Sequence, residues 1–98
     1  MKIAAYSVVP AEKPYFEQWS KDHHVEVKLI SAPLSSANLA EAADCVGVSV
    51  QQPSTLGGAD FYQQFTQMGL KYIGVRSAGI DFVNLAECQK HGIKVTNV

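Results

Sequence analysis

The chain has little of what would mark an unusual environment. Among 98 residues it carries two cysteines, and its formal net charge is only −1. Cys45 leads into an apolar run and Cys88 sits in a helical one. So wide a spacing gives no disulfide framework, and both read as buried thiols of a reducing, cytoplasmic compartment. The near-neutral charge removes the electrostatic reason to expect nucleic acid or an anionic membrane as partner. No apolar run approaches the ~20 residues needed to span a bilayer. The opening "MKIAAYSVV" is too short for a secretory signal before "PAEKPYFEQW" follows. Neither G-x-G-x-x-G nor G-x-x-x-x-G-K-[ST] occurs, so both nucleotide fingerprints are missing. The adjacent His23 and His24 have no further ligands at useful spacing and read as a solvated turn rather than a metal site.

What is present is an alternation of short apolar runs with helical patterns. With 47% hydrophobic and 17% charged residues the composition is that of one ordinary globular domain. Lys2 to Val9 reads as a buried strand stopped by Pro10. Ala11, Tyr15 and Trp19 then form a helical stripe, with Pro14 in the first turn. "VEVKLIS" is a second strand, less apolar and so nearer an edge. Ser35 is a candidate N-cap for a short alanine-rich helix, and Cys45 to Val50 is a third, buried strand. After "QQPSTLGG", Phe61, Phe65 and Met68 mark a helix ending at Gly69. The strand Lys71 to Arg76 and the loop Ser77 to Asp81 come next. A helix with Asn84 and Glu87 at N-cap and N3 spacing then ends at Gly92, before the strand Ile93 to Val98.

Five strands alternating with four helices predict right-handed βαβ units and a parallel sheet. The expected fold class is α/β, a flavodoxin-like doubly wound five-stranded sheet of order 2-1-3-4-5. Ligands of such sheets bind at the carboxyl ends of the strands, which directs attention to three loops. The loop after the first strand, "SVVPAEKP", offers one serine and no glycine, poor material for a phosphate cradle. Val8, Val9 and Val50 also stand where a phospho-receiver would need acids. In "RSAGID", Gly79 admits two roles: turning the chain into the next helix, or letting a ligand approach the backbone closely. In the second role the amides of Ala78 and Gly79 would hold a small carboxylate. Gln51 and Gln52 stand at the mouth of the third strand, as crevice lining or as exposed loop. His91, before Gly92, reads as a partner for a helix C-terminus.

"MKIAAYSVVPAEKPYFEQWSKD", "VSVQQP" and above all "KYIGVRSAGIDFVNLAECQKHGIKVTNV" resemble the amino-terminal part of the NAD-dependent D-2-hydroxyacid dehydrogenases, in the branch with D-lactate and D-2-hydroxyisocaproate dehydrogenases. The resemblance implies that residues 1–98 are the amino-terminal part of a substrate-binding domain, with a Rossmann NAD-binding domain and a returning terminal helix lying outside them. It implies a parent enzyme, expected to be a homodimer, that interconverts 2-keto and D-2-hydroxy acids with NAD as cofactor. It further implies substrate carboxylate binding by the backbone amides of Ala78 and Gly79, and a pocket wall at Val50. Lactate-preferring members tend to have tyrosine at that wall, so valine leaves room for a longer or branched aliphatic acid. The family's catalytic histidine, its acidic partner and its substrate arginine match nothing in this chain, and Arg76 and His91 do not take those roles. The 98 residues alone are therefore expected to be inactive and to bind no NAD. An alternative from another class is a complete, non-catalytic flavodoxin-like module that binds a small ligand or partner domain.

Overall fold

Four-residue strands carry the architecture: β1 (Lys2–Ala5), β2 (Glu26–Leu29), β3 (Gly47–Val50), β4 (Tyr72–Val75) and β5 (Lys94–Asn97). The computed structural model of the protein describes residues 1–51, 55–77 and 79–97. All strand pairings are parallel, and the sheet order is β2-β1-β3-β4-β5, as the sequence predicts. The chain winds from β1 outward to β2, then crosses back and proceeds through β3, β4 and β5. Right-handed crossovers running in opposite directions put their helices on opposite faces. Hence α1 (Lys13–His23) lies on one face, while α2 (Ala59–Gln67) and α3 (Leu85–Lys90) lie on the other.

The core belongs to the second face. Ala4, Val48, Ile73 and Val95 stand in register across four strands and point into it. Against them α2 buries Phe61, Tyr62 and Phe65, and α3 buries Cys88. The opposite row (Ala5, Ser49, Gly74 and Thr96) is covered less and less toward β5, because α1 packs chiefly over β2. Within β3, Gly47 permits a tight approach: a Cβ there would meet both the Cβ and the carbonyl oxygen of Tyr72 at 2.9 Å. Gly47→Ala is expected to destabilise the chain by about 1–3 kcal/mol through overpacking. A urea midpoint that did not move would show that the strands spread freely at that point.

One sequence expectation is corrected, that of an alanine-rich helix, and the helical stripe of α1 proves to cover no core. The stripe Ala11, Tyr15 and Trp19 does not face the core. No residue of α1 is buried, Ala11 is exposed, and Tyr15 and Trp19 retain 79% and 40% exposure. Periodicity identified the helix correctly, but the apolar stripe borders an open groove instead of a closed core. The alanine-rich segment after Ser35 forms only a 3-10 turn, Leu39–Ala42. There Asn38 uses its side-chain oxygen to accept from the Ser35 amide at 2.8 Å and its amide nitrogen to donate to the Pro33 carbonyl, also at 2.8 Å. These local bonds compete with a helical turn and keep the segment short. Asn84 does cap α3, accepting from the Glu87 amide at 3.1 Å. Gly69 and Gly92 take the left-handed conformation that ends their helices.

Candidate functional site

Beyond the carboxyl end of β1 the chain turns sharply, and its amides are committed. Ser7 adopts φ 56°, a left-handed conformation that costs a non-glycine residue about 1–2 kcal/mol. Its amide donates to the Ala32 carbonyl at 3.0 Å, that of Val8 to the Ile30 carbonyl at 3.0 Å, and that of Val9 to Glu12 Oε1 at 3.0 Å. Pro10 has no amide to give. A phosphate cradle needs free, convergent N–H groups, and this loop has spent its own on neighbouring segments. The residues present therefore do not fit the pyrophosphate of a dinucleotide.

Arg76, the first residue after β4, is the most heavily connected side chain at this end of the sheet. Its guanidinium donates from Nη1 to Ser49 Oγ at 3.0 Å, and from Nη2 to the carbonyls of Tyr6 at 2.6 Å and Ser7 at 3.2 Å. Nε lies 3.4 Å from Glu12 Oε2, an ion-pair distance, and the group stands over the Phe16 ring at 5.2 Å. Burial lowers the Arg76 pKa from its ordinary value while Glu12 opposes that shift, and arginine stays charged throughout. The sequence pattern gives little sign of this network. One signal for it was available: an arginine directly after the apolar run "YIGV" needs several partners close to the sheet.

From Arg76 the chain enters the loop expected to bind a carboxylate. The Arg76 amide donates to the Val50 carbonyl at 2.9 Å, so the ends of β3 and β4 are joined where the loop begins. Ser77 Oγ donates to the Gly79 carbonyl at 3.0 Å and braces the bend. Gly79 is exposed, and a Cβ built on it would meet nothing within 4 Å among the described residues. Ala78 and Gln52 lie outside the described residues, and Gln51 is exposed. The Val50 side chain is sealed in the core, so the structure links it to the loop through its backbone.

The loops after β3 and β4 are fastened to each other beyond this point. The Leu56 amide donates to the Phe82 carbonyl at 3.1 Å, and the Asn84 amide donates to the buried Tyr62 hydroxyl at 2.8 Å. Gly57 fits because its φ is 154° and a Cβ would stand 2.8 Å from that of Phe61. Between the two loops opens a cleft of about 560 Å³, lined by Thr55, Gly57, Gly58, Asp81, Phe82 and Asn84, among others. A second cleft, of about 460 Å³, runs behind the sheet between α1 and Arg76, past Ile3, Tyr15, Phe16, Trp19 and Ser49.

The remaining candidates have structural places. His23 stacks on Trp19 with ring centroids 4.6 Å apart, and its Nδ1 lies 2.9 Å from the Trp19 carbonyl. His91 closes α3, with Nε2 3.5 Å from Glu87 Oε2. Cys45 and Cys88 are buried and free, and burial pushes both thiols up, away from the reactive thiolate. Among the described residues no helix is long and apolar enough to cross a membrane.

A doubly wound parallel sheet of order β2-β1-β3-β4-β5 defines an α/β domain of the flavodoxin-like class. The family can be named more closely. Residues 3–98 match the model of the D-isomer specific 2-hydroxyacid dehydrogenase catalytic domain, and the chain belongs to that family. It is 36% identical over 100 residues to the D-lactate/D-glycerate dehydrogenase of Pediococcus acidilactici, covering all of this chain and 29% of that protein. The NAD-complexed D-isomer specific 2-hydroxyacid dehydrogenase of Lactobacillus delbrueckii ssp. bulgaricus superposes with a TM-score of 0.94 at 37% identity, over the whole chain and 30% of that structure. A D-2-hydroxyisocaproate dehydrogenase gives a TM-score of 0.90 at 26% identity, again over the whole chain and 29% of the relative. The chain thus spans about 30% of the length of these relatives.

Proposed function

We infer that residues 1–98 are the amino-terminal part of the substrate domain of an NAD-dependent D-2-hydroxyacid dehydrogenase. The observation that carries this reading is the exposed, unhindered Gly79 beyond the carboxyl end of β4, in a chain of which residues 3–98 match that family's catalytic domain. The loop's part is to receive the carboxylate of a 2-keto acid on the amides of Ala78 and Gly79. Backbone donors bind a planar anion without the entropy loss of ordering a long side chain. Val50, which the resemblance makes a pocket wall, has no exposed side-chain surface and lies in the core, so its part is to hold the root of the loop through its carbonyl rather than to touch the substrate's alkyl group. The substrate is read as D-lactate or a longer, branched D-2-hydroxy acid, a choice in which one methylene is worth only ~1–3 kcal/mol.

The nicotinamide cofactor supplies the hydride, and its binding is assigned to a Rossmann domain outside these residues, since the loop after β1 has no free amides for it. The acid–base groups are assigned to the same outlying part, so the 98 residues alone carry no dehydrogenase activity. The half-covered sheet face beside α1, where Tyr72 keeps 46% exposure, is assigned as a surface on which the rest of the parent packs. The parent is read as a cytoplasmic homodimer. The test is an assay of the full-length protein for NADH oxidation with pyruvate and 2-ketoisocaproate. Turnover with at least one, giving the D-hydroxy acid, is the expected result; none with either, from a folded protein that binds NADH, would overturn the reading.

A further inference from the structure

We propose that Arg76 is a positioning residue for the carboxylate-binding loop, fixing the direction in which the chain leaves β4 at Ser77. The inference rests on the function proposed above. The guanidinium cannot itself serve as a substrate ligand in this arrangement. Three hydrogen bonds and one ion pair hold it against Ser49, Tyr6, Ser7 and Glu12, on the α1 side of the sheet. These partners come from the end of β1, from β3 and from the turn before α1, while the Arg76 amide is held by Val50. A single residue therefore joins the carboxyl ends of three neighbouring strands at the root of the loop.

The conformation of Ser7 gives the network its form. Successive carbonyls of an extended strand point to opposite sides. The left-handed turn at Ser7 breaks that alternation, and the Tyr6 and Ser7 carbonyls both reach the same Nη2 atom. An uncommon backbone conformation is kept where it completes the seat of this guanidinium. Glu12 is tied into the seat in turn, with one carboxylate oxygen on the Val9 amide and the other facing Arg76 Nε. Lysine at position 76 would keep the charge but could not reproduce the planar fork that spans Ser49 and the two carbonyls.

The experiment uses the full-length protein and the variants Arg76→Lys, Glu12→Gln and the double variant. For Arg76→Lys, KM for the 2-keto acid is expected to rise at least about tenfold with kcat changed less than about threefold, a loss of substrate binding rather than of chemistry. Hydrogen exchange of the segment 76–84 should quicken by about fivefold or more, while the segment 59–67 of α2 stays unchanged. Glu12→Gln should move both readouts in the same direction and add little to Arg76→Lys in the double variant. Unchanged KM and exchange in Arg76→Lys, or faster exchange in both segments alike, would reduce Arg76 to a general stabiliser and overturn the proposal. Fully additive Glu12 and Arg76 effects would overturn it too. If the wild-type protein turns over no 2-keto acid, the dehydrogenase reading fails on its own. The exchange arm still decides the positioning role: quickening confined to 76–84 supports it, and uniform or absent quickening overturns it.

Discussion

Phe65→Ala is expected to abolish cooperative folding of the 98-residue chain at 25 °C. Phe65 has no exposed surface and sits in one cluster with Val48, Ile73 and Phe61, its ring centroid 6.1 Å from that of Phe61. Truncating a buried phenylalanine to alanine costs about 3–5 kcal/mol, part lost transfer energy and part cavity. A domain of this size has about 5–15 kcal/mol in total. Here the lower end applies, because one face of the sheet is closed only by α1, none of whose residues is buried. The remaining margin is then close to zero, and a urea titration followed by circular dichroism should show a broad, shallow change in place of a sigmoid. Phe65→Leu keeps most of the volume and should keep the transition, shifted to lower urea. If Phe65→Ala unfolds with a midpoint equivalent to less than about 1 kcal/mol of loss, α2 is not the element that closes this core.

That imbalance between the two faces explains which parts of the fold could be read from sequence. The order of the sheet followed from the alternation of apolar runs with helical patterns, because right-handed crossovers leave few arrangements. The stripe Phe61, Phe65 and Met68 packs on the core as its periodicity implies, since the α2 face is closed by this chain's own residues. Tyr15 and Trp19 have the same periodicity and the opposite outcome, since what they border is a groove the described residues leave open. Periodicity reports that a face is apolar; it does not report what covers it. The site divides in the same manner. Gly79 was visible as a glycine after a strand, in a fold whose ligands gather there. The Arg76 seat was not visible, because its partners lie as many as 70 positions away and two of them are backbone carbonyls, which carry no sequence signal.

Gly79→Asp in the full-length protein should lower kcat/KM for the 2-keto acid by more than about 100-fold while leaving thermal stability nearly unchanged. The two halves of this expectation have separate causes. Space beside Gly79 is open among the described residues, so the fold itself meets no new clash. The proposed ligand is a carboxylate, and a second carboxylate at ~5 Å, with an effective dielectric of ~20, repels it by about 3 kcal/mol, a factor of more than 100. Gly79→Asn separates charge from bulk: nearly the same size and neutral, it should retain much of the activity that the aspartate variant loses. Raising salt should narrow the gap between the two variants only in part, since screening falls off where water is excluded. Equal losses in both would assign the effect to bulk alone and remove the support for a carboxylate at the loop amides. An aspartate variant within about threefold of wild type would place the carboxylate elsewhere, because two like charges that close cannot share the crevice without a measurable penalty.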